Sequence, residues 1–248
     1  YTTLFRSPIS THLSPPSFSG MRLGVPFRFI ENLAPPSKEI FENAIQKMQA
    51  NGAEIIDINL DLFNYGIAVY YILATAEAST NLARFDGIRY GRRAKQATSL
   101  TDVYTQSKEE GFGAEVKRRI LLGTFVLSSG YQDAYYKKAQ KVRTLMIQQT
   151  NEAFKQCDLI LMPTTPMGAF EIGSKKDPLQ MYLEDLYTIG ANLIGTPIIS
   201  IPCGFDADDK PMGIQFMGPQ KADELVLQAA KGFEQLSQAV NKVPAWIQ

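Results

Sequence analysis

A strand–helix–strand order near the beginning of the chain constrains the fold more than any other sequence feature. Residues 21–26 and 53–58 are short apolar stretches that predict strands. Between them, apolar residues recur at helical spacing, which predicts a helix with Ser37 as its N-cap and Gly52 just beyond its end. The residues of this helix predicted to face the core are Ile40, Phe41, Ala44, Ile45 and Met48. Because strands joined through a helix run parallel, we predict an α/β fold with a mixed central β-sheet covered by helices.

The rest of the chain continues to alternate between helical and extended patterns. Further helices are predicted over residues 66–82, 114–124, 131–154, 177–195 and 222–236. Further strands are predicted over residues 157–163, 196–205 and 212–218. The last two strands are joined by "DADDKP", whose turn-forming residues predict a hairpin with a longer loop. In the helix over residues 114–124, Val116, Ile120 and Leu121 are predicted to lie on one side.

Composition narrows the class of protein. The chain has 248 residues, of which 45% are hydrophobic and 20% charged, so it can bury a substantial core. Lysine and arginine together number 25, as do aspartate and glutamate, and the net charge is therefore zero. A protein whose main task is to bind phosphate backbones normally carries a basic excess, so the balance argues weakly against that role. It leaves room for one local basic patch.

The sequence has few histidine and cysteine residues that could support imidazole or thiol chemistry. His12 is the single histidine, so a Ser-His-Asp triad or a histidine-rich zinc site would have to be built on it. Cys157 and Cys203 have no metal-type spacing, and we expect both to be buried. The sequence contains no apolar run of 18 residues and no recognisable signal peptide, which favours a cytoplasmic location.

Five long segments resemble the amidase-signature family, and within it the C-terminal half of the glutaminase subunits of tRNA-dependent amidotransferases. They are "EASTNLARFDGIRYG", "KRRILLGTFVLSSGYQDAYYKKAQKVR", "MPTTPMGAF", "DPLQMYLEDLYTIGANLIGTPIISIPCGF" and "MGIQFMG". The resemblance runs from about residue 20 to about residue 231. It implies the amidase-signature fold in part, with residues 21–248 as the C-terminal part of a single domain. Residues 1–20 are predicted to be an irregular leader, and Tyr1–Ser7 resembles a translated sequencing adaptor.

The family hydrolyses amides with a Ser–Ser–Lys triad; both serines lie in a Gly/Ser-rich segment of the N-terminal half, and the lysine lies in the same half. The present sequence contains no such segment, and "LSSG" at residues 127–130 lacks the surrounding glycines. We therefore assign no catalytic residue and no metal ligand in this chain. The resemblance implies that the chain carries the substrate-holding side of the pocket, and that the isolated polypeptide is inactive.

The resemblance also implies which residues hold glutamine. By position in the family pattern, Arg119 binds the α-carboxylate, Asp185 binds the α-ammonium and Tyr70 contributes its hydroxyl. The residue types suit these roles because an arginine fork can bind both carboxylate oxygens and an aspartate complements an ammonium. From the sequence alone, exposed helix faces are favoured for both Arg119 and Asp185, and it is the resemblance that reverses this interpretation. Adjacent helical residues point about 100° apart, so we expect one of Tyr70 and Tyr71 to face the pocket and the other the core.

Two polar segments have open interpretations. Thr164 and Thr165 follow a buried strand, where α/β sheets often bind ligands, although an ordinary turn is the favoured interpretation. Residues 81–86 are predicted to support the pocket as a buried polar network, with Arg84 and Asp86 as candidate ion-pair partners. The arginines that follow either face a partner subunit or tRNA, or are solvated; they are Arg89, Arg92 and Arg93.

The implied function is that of the glutaminase subunit, which hydrolyses glutamine and supplies ammonia for converting glutamyl-tRNA(Gln) to glutaminyl-tRNA(Gln). The implied partners are the amidotransferase subunits B and C, and glutamyl-tRNA reaches the enzyme through the complex. The chain itself is expected to need no cofactor, because ATP and Mg²⁺ belong to the partner subunit. Two alternatives remain: another amidase-signature hydrolase acting on simple amides, and a binding or assembly module without catalysis.

Overall fold

The computed structural model of the chain describes residues 17–174 and 178–239, without the side chains of residues 178–180. Most of the predicted leader, including His12, and the last nine residues lie outside the described part. The chain divides into two compact units. The sheet unit consists of residues 1–67 and 144–248, and the helical unit consists of residues 68–143.

The sheet unit contains a five-stranded mixed sheet with the order β2-β1-β3-β5-β4. Its strands are β1 (Arg22–Val25), β2 (Glu54–Asp57), β3 (Leu159–Pro163), β4 (Ile198–Phe205) and β5 (Pro211–Met217). β1 runs parallel to β2 and β3, whereas β5 runs antiparallel to both β3 and β4. The mixed sheet predicted from the sequence is confirmed, and so is the hairpin of its last two strands.

The predicted strand–helix–strand unit is formed by β1, α1 (Pro35–Ala50) and β2. The buried hydrophobic residues of α1 match the predicted face except for Ile40, which is half-buried; they are Phe41, Ala44, Ile45 and Met48. The prediction of Ser37 as N-cap is wrong, because α1 begins two residues earlier with Pro35 and Pro36 in its first turn. Proline is accommodated there since the first helical N–H groups have no intrahelical acceptor.

The sheet and the helices packed on it enclose the core of this unit. All five residues of β3 are buried, as the central position of that strand requires. Helix α8 (Asp223–Ser237) packs on β4 and β5, and α1 packs on the same two strands. Phe216 of β5 makes an edge-on ring contact with Phe233 of α8, with centroids 6.3 Å apart. Both thiols are buried, and burial raises the pKa of Cys157 to about 11 and that of Cys203 to about 12.

The single helix predicted over residues 177–195 is two short helices, α6 (Pro178–Leu183) and α7 (Ile189–Ile194). Tyr187 lies near the end of the turn between them. The side-chain amide of Gln215 donates hydrogen bonds to the carbonyl oxygens of Pro163 and Tyr187, at 2.9 and 2.8 Å. Gln215 is 1% exposed. Because the Tyr187 carbonyl bonds to a side chain of the sheet, the turn is fixed against the end of β3.

The helical unit contains α2 (Gly66–Leu82, from residue 68 onward), α3 (Leu100–Gly111), α4 (Ala114–Leu127) and the start of α5 (Lys138–Ala153). The long helix predicted over residues 131–154 begins instead with a π-helical turn, Asp133–Lys137. Helix α4 buries Gly123 and Val126 and leaves Leu121, on its predicted apolar side, 71% exposed. Helix α3 was not predicted, although Ser99 and Asp102 form a capping box at its start.

The described residues contain neither a candidate membrane span nor a candidate metal-binding cluster. None of the helices in this part of the chain combines the length and the apolar character needed to cross a membrane. Within the same residues, no cluster of three or more histidine, cysteine, aspartate or glutamate side chains is arranged to hold a metal ion.

We predict that Gln215→Leu destabilises the protein, because it leaves two buried carbonyl oxygens without a hydrogen-bond donor. Each unsatisfied group costs about 1–3 kcal/mol. The measurement is the free energy of unfolding from urea titration, with Gln46→Leu at an exposed position of α1 as the matched control. A loss for Gln215→Leu no larger than that of the control would contradict this role of the amide.

Candidate substrate-binding site

The candidate site in the helical unit depends on a very close approach of α2 and α4. A Cβ atom added to Gly123 of α4 would lie 2.0 Å from the carbonyl oxygen of Thr75 and 2.8 Å from the Cβ atom of Ser79, both in α2. No side chain fits at this distance, so glycine is required for the two helices to touch here. One turn closer to the N-terminus of each helix, the contact brings Arg119 of α4 onto the two adjacent tyrosines of α2.

Arg119 is held on three sides by described residues. Its Nε donates a hydrogen bond to Glu115 Oε1 at 2.9 Å, one turn earlier on α4. Its Nη1 donates a longer hydrogen bond to the Tyr70 hydroxyl at 3.5 Å. Its guanidinium carbon lies 5.6 Å from the ring centroid of Tyr71, within cation–π distance. The side chain of Arg119 is therefore fixed in position before any ligand arrives.

The electrostatics of Arg119 suit an anion site. The hydrogen bond to Glu115 raises the pKa of Arg119, partial burial opposes that rise, and the Tyr70 hydroxyl adds to it. The guanidinium is thus a permanent cation with 35% of its side chain exposed. Among the described residues, no hydrogen bond uses its Nη2 atom. The edge formed by Nη1 and Nη2 is the geometry that binds both oxygens of a carboxylate.

The expectation that one of the two tyrosines would be a core residue is wrong. Tyr70 and Tyr71 are both half-buried, and their rings meet edge-on with centroids 5.3 Å apart. This pairing turns the hydroxyl of Tyr70 and the ring face of Tyr71 toward the same guanidinium. Tyr70 therefore lies beside Arg119, and Tyr71 is a further contact residue that the helical-wheel argument missed.

Asp185 belongs to the sheet unit, in the turn between α6 and α7. Its side chain is exposed, and among the described residues no hydrogen bond or ion pair uses its carboxylate. The backbone around it is ordered, because its carbonyl oxygen accepts hydrogen bonds from the N–H groups of Thr188 and Ile189, both at 3.1 Å. Asp185 is thus an available anion on a fixed turn, and its convergence with Arg119 on one ligand stays a prediction.

Gln215 is the residue of this region that sequence reasoning did not single out. Its amide anchors the turn after Asp185 to the end of β3, next to Thr164. A polar residue in the otherwise apolar segment "MGIQFMG" was the available signal, because a buried amide must have hydrogen-bond partners.

The two threonines after β3 have local partners. The hydroxyl groups of Thr164 and Ser200 are 2.7 Å apart, and they meet across β5 because Gly213 has no side chain between them. The Thr165 hydroxyl donates to the carbonyl oxygen of Met167 at 2.9 Å. These contacts favour the structural interpretation of the pair, a strand end followed by a turn.

A cavity of about 430 Å³ lies along α2, beyond the tyrosine pair in the chain direction. Glu77, Asn81 and Gln140 are among its polar lining residues, and neither Tyr70 nor Arg119 lines it. Asn81 Nδ2 contacts Glu77 Oε1 at 3.5 Å. Leu73, Ala76 and Leu127 also line it, so the cavity is a groove of mixed polarity, lined by residues other than the arginine–tyrosine contact.

The stretch after α2 differs from the buried polar network that was predicted. Asn81 and Arg84 are exposed and Asp86 is half-buried. The carboxylate of Asp86 accepts hydrogen bonds from the N–H groups of Ile88 and Arg89, at 2.8 and 3.2 Å, instead of pairing with Arg84. These backbone bonds, chiefly the one from Ile88, lower the pKa of Asp86. Asp86 therefore organises a turn and is not the ion-pair partner of Arg84.

Comparison with known proteins identifies the family to which this chain belongs. The family model described as Amidase matches residues 7–227, and the chain belongs to that family. The chain is 65% identical over 214 residues to the A-type subunit of glutamyl-tRNA(Gln) amidotransferase from Protochlamydia amoebophila, covering 86% of this chain and 44% of that protein. It is 49% identical over 227 residues to the same subunit from a Sulfurihydrogenibium species, covering 91% and 47%.

Solved structures give the same result for the fold. The crystal structure of the A-type subunit of glutamyl-tRNA(Gln) amidotransferase from Thermotoga maritima matches with a TM-score of 0.70 and 36% identity, over 93% of this chain and 45% of that one. A 6-aminohexanoate cyclic dimer hydrolase matches with a TM-score of 0.73 at 16% identity, which shows a shared fold alone. The chain spans less than half of the length of the amidotransferase subunits that it resembles.

We predict that Gly123→Ala disturbs the site and lowers stability. The new methyl group would lie 2.0 Å from a backbone oxygen, so α4 must move away from α2, and overpacking of this kind costs about 1–3 kcal/mol. Gly111→Ala is the matched control, because nothing lies within 4 Å of its added Cβ atom. Urea unfolding of both variants measures the difference, and equal midpoints would contradict the close helix contact.

Proposed function

We propose that this chain is part of the glutaminase subunit of a tRNA-dependent amidotransferase. The observation that carries the proposal is the 65% identity to the A-type subunit of a glutamyl-tRNA(Gln) amidotransferase. The structure supports it with a fixed guanidinium beside a tyrosine hydroxyl, as a site for an amino-acid carboxylate requires. The subunit hydrolyses glutamine through an acyl-enzyme and supplies ammonia for amidation of glutamyl-tRNA(Gln).

The remaining parts of the proposal follow from this role. The triad and its Gly/Ser-rich segment are supplied by sequence that this chain does not contain, so the 248-residue polypeptide releases no ammonia by itself. The partner subunit uses ATP and Mg²⁺. The partners are subunits B and C, which form a cytoplasmic heterotrimer with the complete A subunit. We expect this chain to contribute Arg119 to the α-carboxylate of glutamine, Asp185 to the α-ammonium and the Tyr70 hydroxyl to glutamine binding.

A chimera tests the site in a catalytic setting. The matched 214-residue region of the Protochlamydia amoebophila protein is replaced by the corresponding region of this chain, and release of ammonia from glutamine is measured. We predict that Arg119→Lys lowers kcat/KM for glutamine about 10- to 100-fold, mainly through KM. Lysine cannot reproduce the paired N–H groups, and charged hydrogen bonds are worth about 1.5–3 kcal/mol.

Arg118→Lys is the matched control for this chimera. Arg118 is adjacent, pairs with the same Glu115 and is 56% exposed, so its replacement should change kcat/KM by less than about twofold. Equal losses for the two variants would overturn the assignment of Arg119. Hydrolysis of simple aliphatic amides without hydrolysis of glutamine would favour the alternative of a general amidase.

A second prediction distinguishes binding of the α-ammonium by Asp185 from an effect of this residue on the fold. If its carboxylate binds the α-ammonium, Asp185→Asn lowers kcat/KM of the chimera for glutamine about tenfold or more, the loss of one charged hydrogen bond. The same substitution leaves activity unchanged toward glutaramate, which keeps the amide and the carboxylate but has no α-amino group. Equal losses on both substrates would show that Asp185 acts on the fold and not on the ammonium.

A further inference from the structure

A strongly basic loop joins α2 to α3 in the helical unit, and the proposed function leaves it unused. We define the basic loop as residues 83–99. It contains five lysines and arginines and a single acidic residue, Asp86. The helical unit as a whole has thirteen lysines and arginines against seven aspartates and glutamates, a net charge of +6 in a chain whose total is zero. The basic charge of the protein is therefore concentrated in this unit.

The loop has a defined shape, held by contacts to α3 and within itself. The N–H of Ala94 donates to the hydroxyl of Ser107 at 3.0 Å, and Ser107 is 3% exposed. Gly87 has φ +76° and lies so close to Ser107 that an added Cβ atom would be 2.3 Å from its hydroxyl oxygen. The N–H of Gly87 also donates to the carbonyl oxygen of Tyr90 at 3.1 Å. The backbone of a loop held in this way loses little further conformational entropy when the loop binds a ligand.

The cations of the basic loop are exposed and mostly not neutralised within the described residues. Arg92 pairs with Glu110 of α3 at 3.2 Å, with 61% of its side chain exposed. No ion pair within this part of the chain uses Arg84, Arg89 or Arg93, all of which are exposed. The one acidic residue of the loop directs its carboxylate to backbone N–H groups. The loop therefore presents a concentrated positive charge to solvent.

Aromatic side chains accompany these arginines. Tyr90 lies between Arg89 and Arg92 in sequence and is 58% exposed, and Phe85 is 38% exposed. Arginine forks bind phosphate oxygens in pairs, and exposed aromatic faces stack on unpaired bases. Tyrosine also occurs at protein interfaces, so the ring by itself does not exclude an acidic protein. Several neighbouring arginines beside an exposed ring match the regular phosphates and unpaired bases of RNA, and this combination favours RNA over an acidic polypeptide.

We propose that the basic loop binds RNA, with Arg89 and Arg93 on the phosphate backbone and Tyr90 stacked on an unpaired base. The choice of RNA as the polyanion rests in part on the proposed function, whose acceptor is a tRNA. The site itself is distinct from the arginine–tyrosine contact that is assigned to glutamine.

The test is fluorescence anisotropy of a labelled tRNA(Gln) transcript titrated with the full 248-residue chain at several salt concentrations. Arg89→Gln/Arg93→Gln should lower affinity at least tenfold and reduce the slope of log K against log salt by about 1.5, the value for two lost phosphate contacts. Lys138→Gln/Lys141→Gln removes the same charge from exposed positions of α5 and should change affinity less than about threefold. Tyr90→Ala should weaken binding about fivefold or more without changing the slope.

Several outcomes would overturn the proposal. They are equal losses for the two double variants, an unchanged salt slope, or no binding of the transcript at low salt. Competition by poly-glutamate as strong as that by unlabelled RNA, together with no effect of Tyr90→Ala, would assign the loop to an acidic protein. Ultraviolet cross-linking of the unsubstituted chain gives a result independent of any variant. A cross-linked peptide within residues 83–99 supports the proposal, and one confined to another region contradicts it.

Circular dichroism spectra confirm that each variant folds like the parent chain. If the free chain proves unfolded, the same variants are compared in the chimera described above. Failure here is distinguishable from failure of the proposed function, because glutamine hydrolysis by the chimera depends on Arg119 and requires no RNA. A chimera that hydrolyses glutamine but does not bind the transcript through this loop would refute only the present inference.

Discussion

The central strand β3 is the element on which the sheet unit depends. It pairs in parallel with β1 on one side and antiparallel with β5 on the other, so both halves of the sheet are joined through it. All of its residues are buried, and its last carbonyl oxygen is bound by the amide of Gln215. The same amide reaches Tyr187, so one buried side chain connects the sheet to the turn that carries Asp185. An exposed carboxylate on this turn is thus positioned by an interaction in the core.

In the helical unit, the site depends on a residue without a side chain, whereas in the sheet unit it depends on the side chain of Gln215. Gly123 removes the atoms that would keep α4 away from the backbone of α2, and the guanidinium of Arg119 is then close enough to contact two tyrosines. Glu115 holds the Nε edge of the arginine and leaves the other edge for a ligand. Preorganisation of this kind matters because a long arginine side chain otherwise loses about 2 kcal/mol of rotamer entropy on binding.

The features that were predictable from sequence are those in which a local pattern reports burial. Helix α1 is an example, since its apolar spacing reflects the face that packs on the sheet. Helix α3 buries only Val103 and the polar Ser107, so its apolar residues report little of its buried face. At the site, helical spacing assigned Tyr70 and Tyr71 to different faces. The guanidinium of Arg119 nevertheless contacts the hydroxyl of Tyr70 and the ring of Tyr71 at the same time. Spacing also cannot locate Gln215, because its role depends on two carbonyl groups that are 52 and 28 residues away in sequence.

The net charge of the whole chain is a poor guide to whether one of its surfaces binds a polyanion. A net charge of zero argued weakly against nucleic-acid binding, yet the helical unit carries +6 and the rest of the chain carries the opposite charge. At physiological ionic strength, exposed charges interact over only about 8 Å. A polyanion that approaches the basic loop therefore responds to the arginines within that distance and hardly to acidic residues elsewhere. The relevant quantity for recognition is the charge of the local surface, which requires the structure to define it.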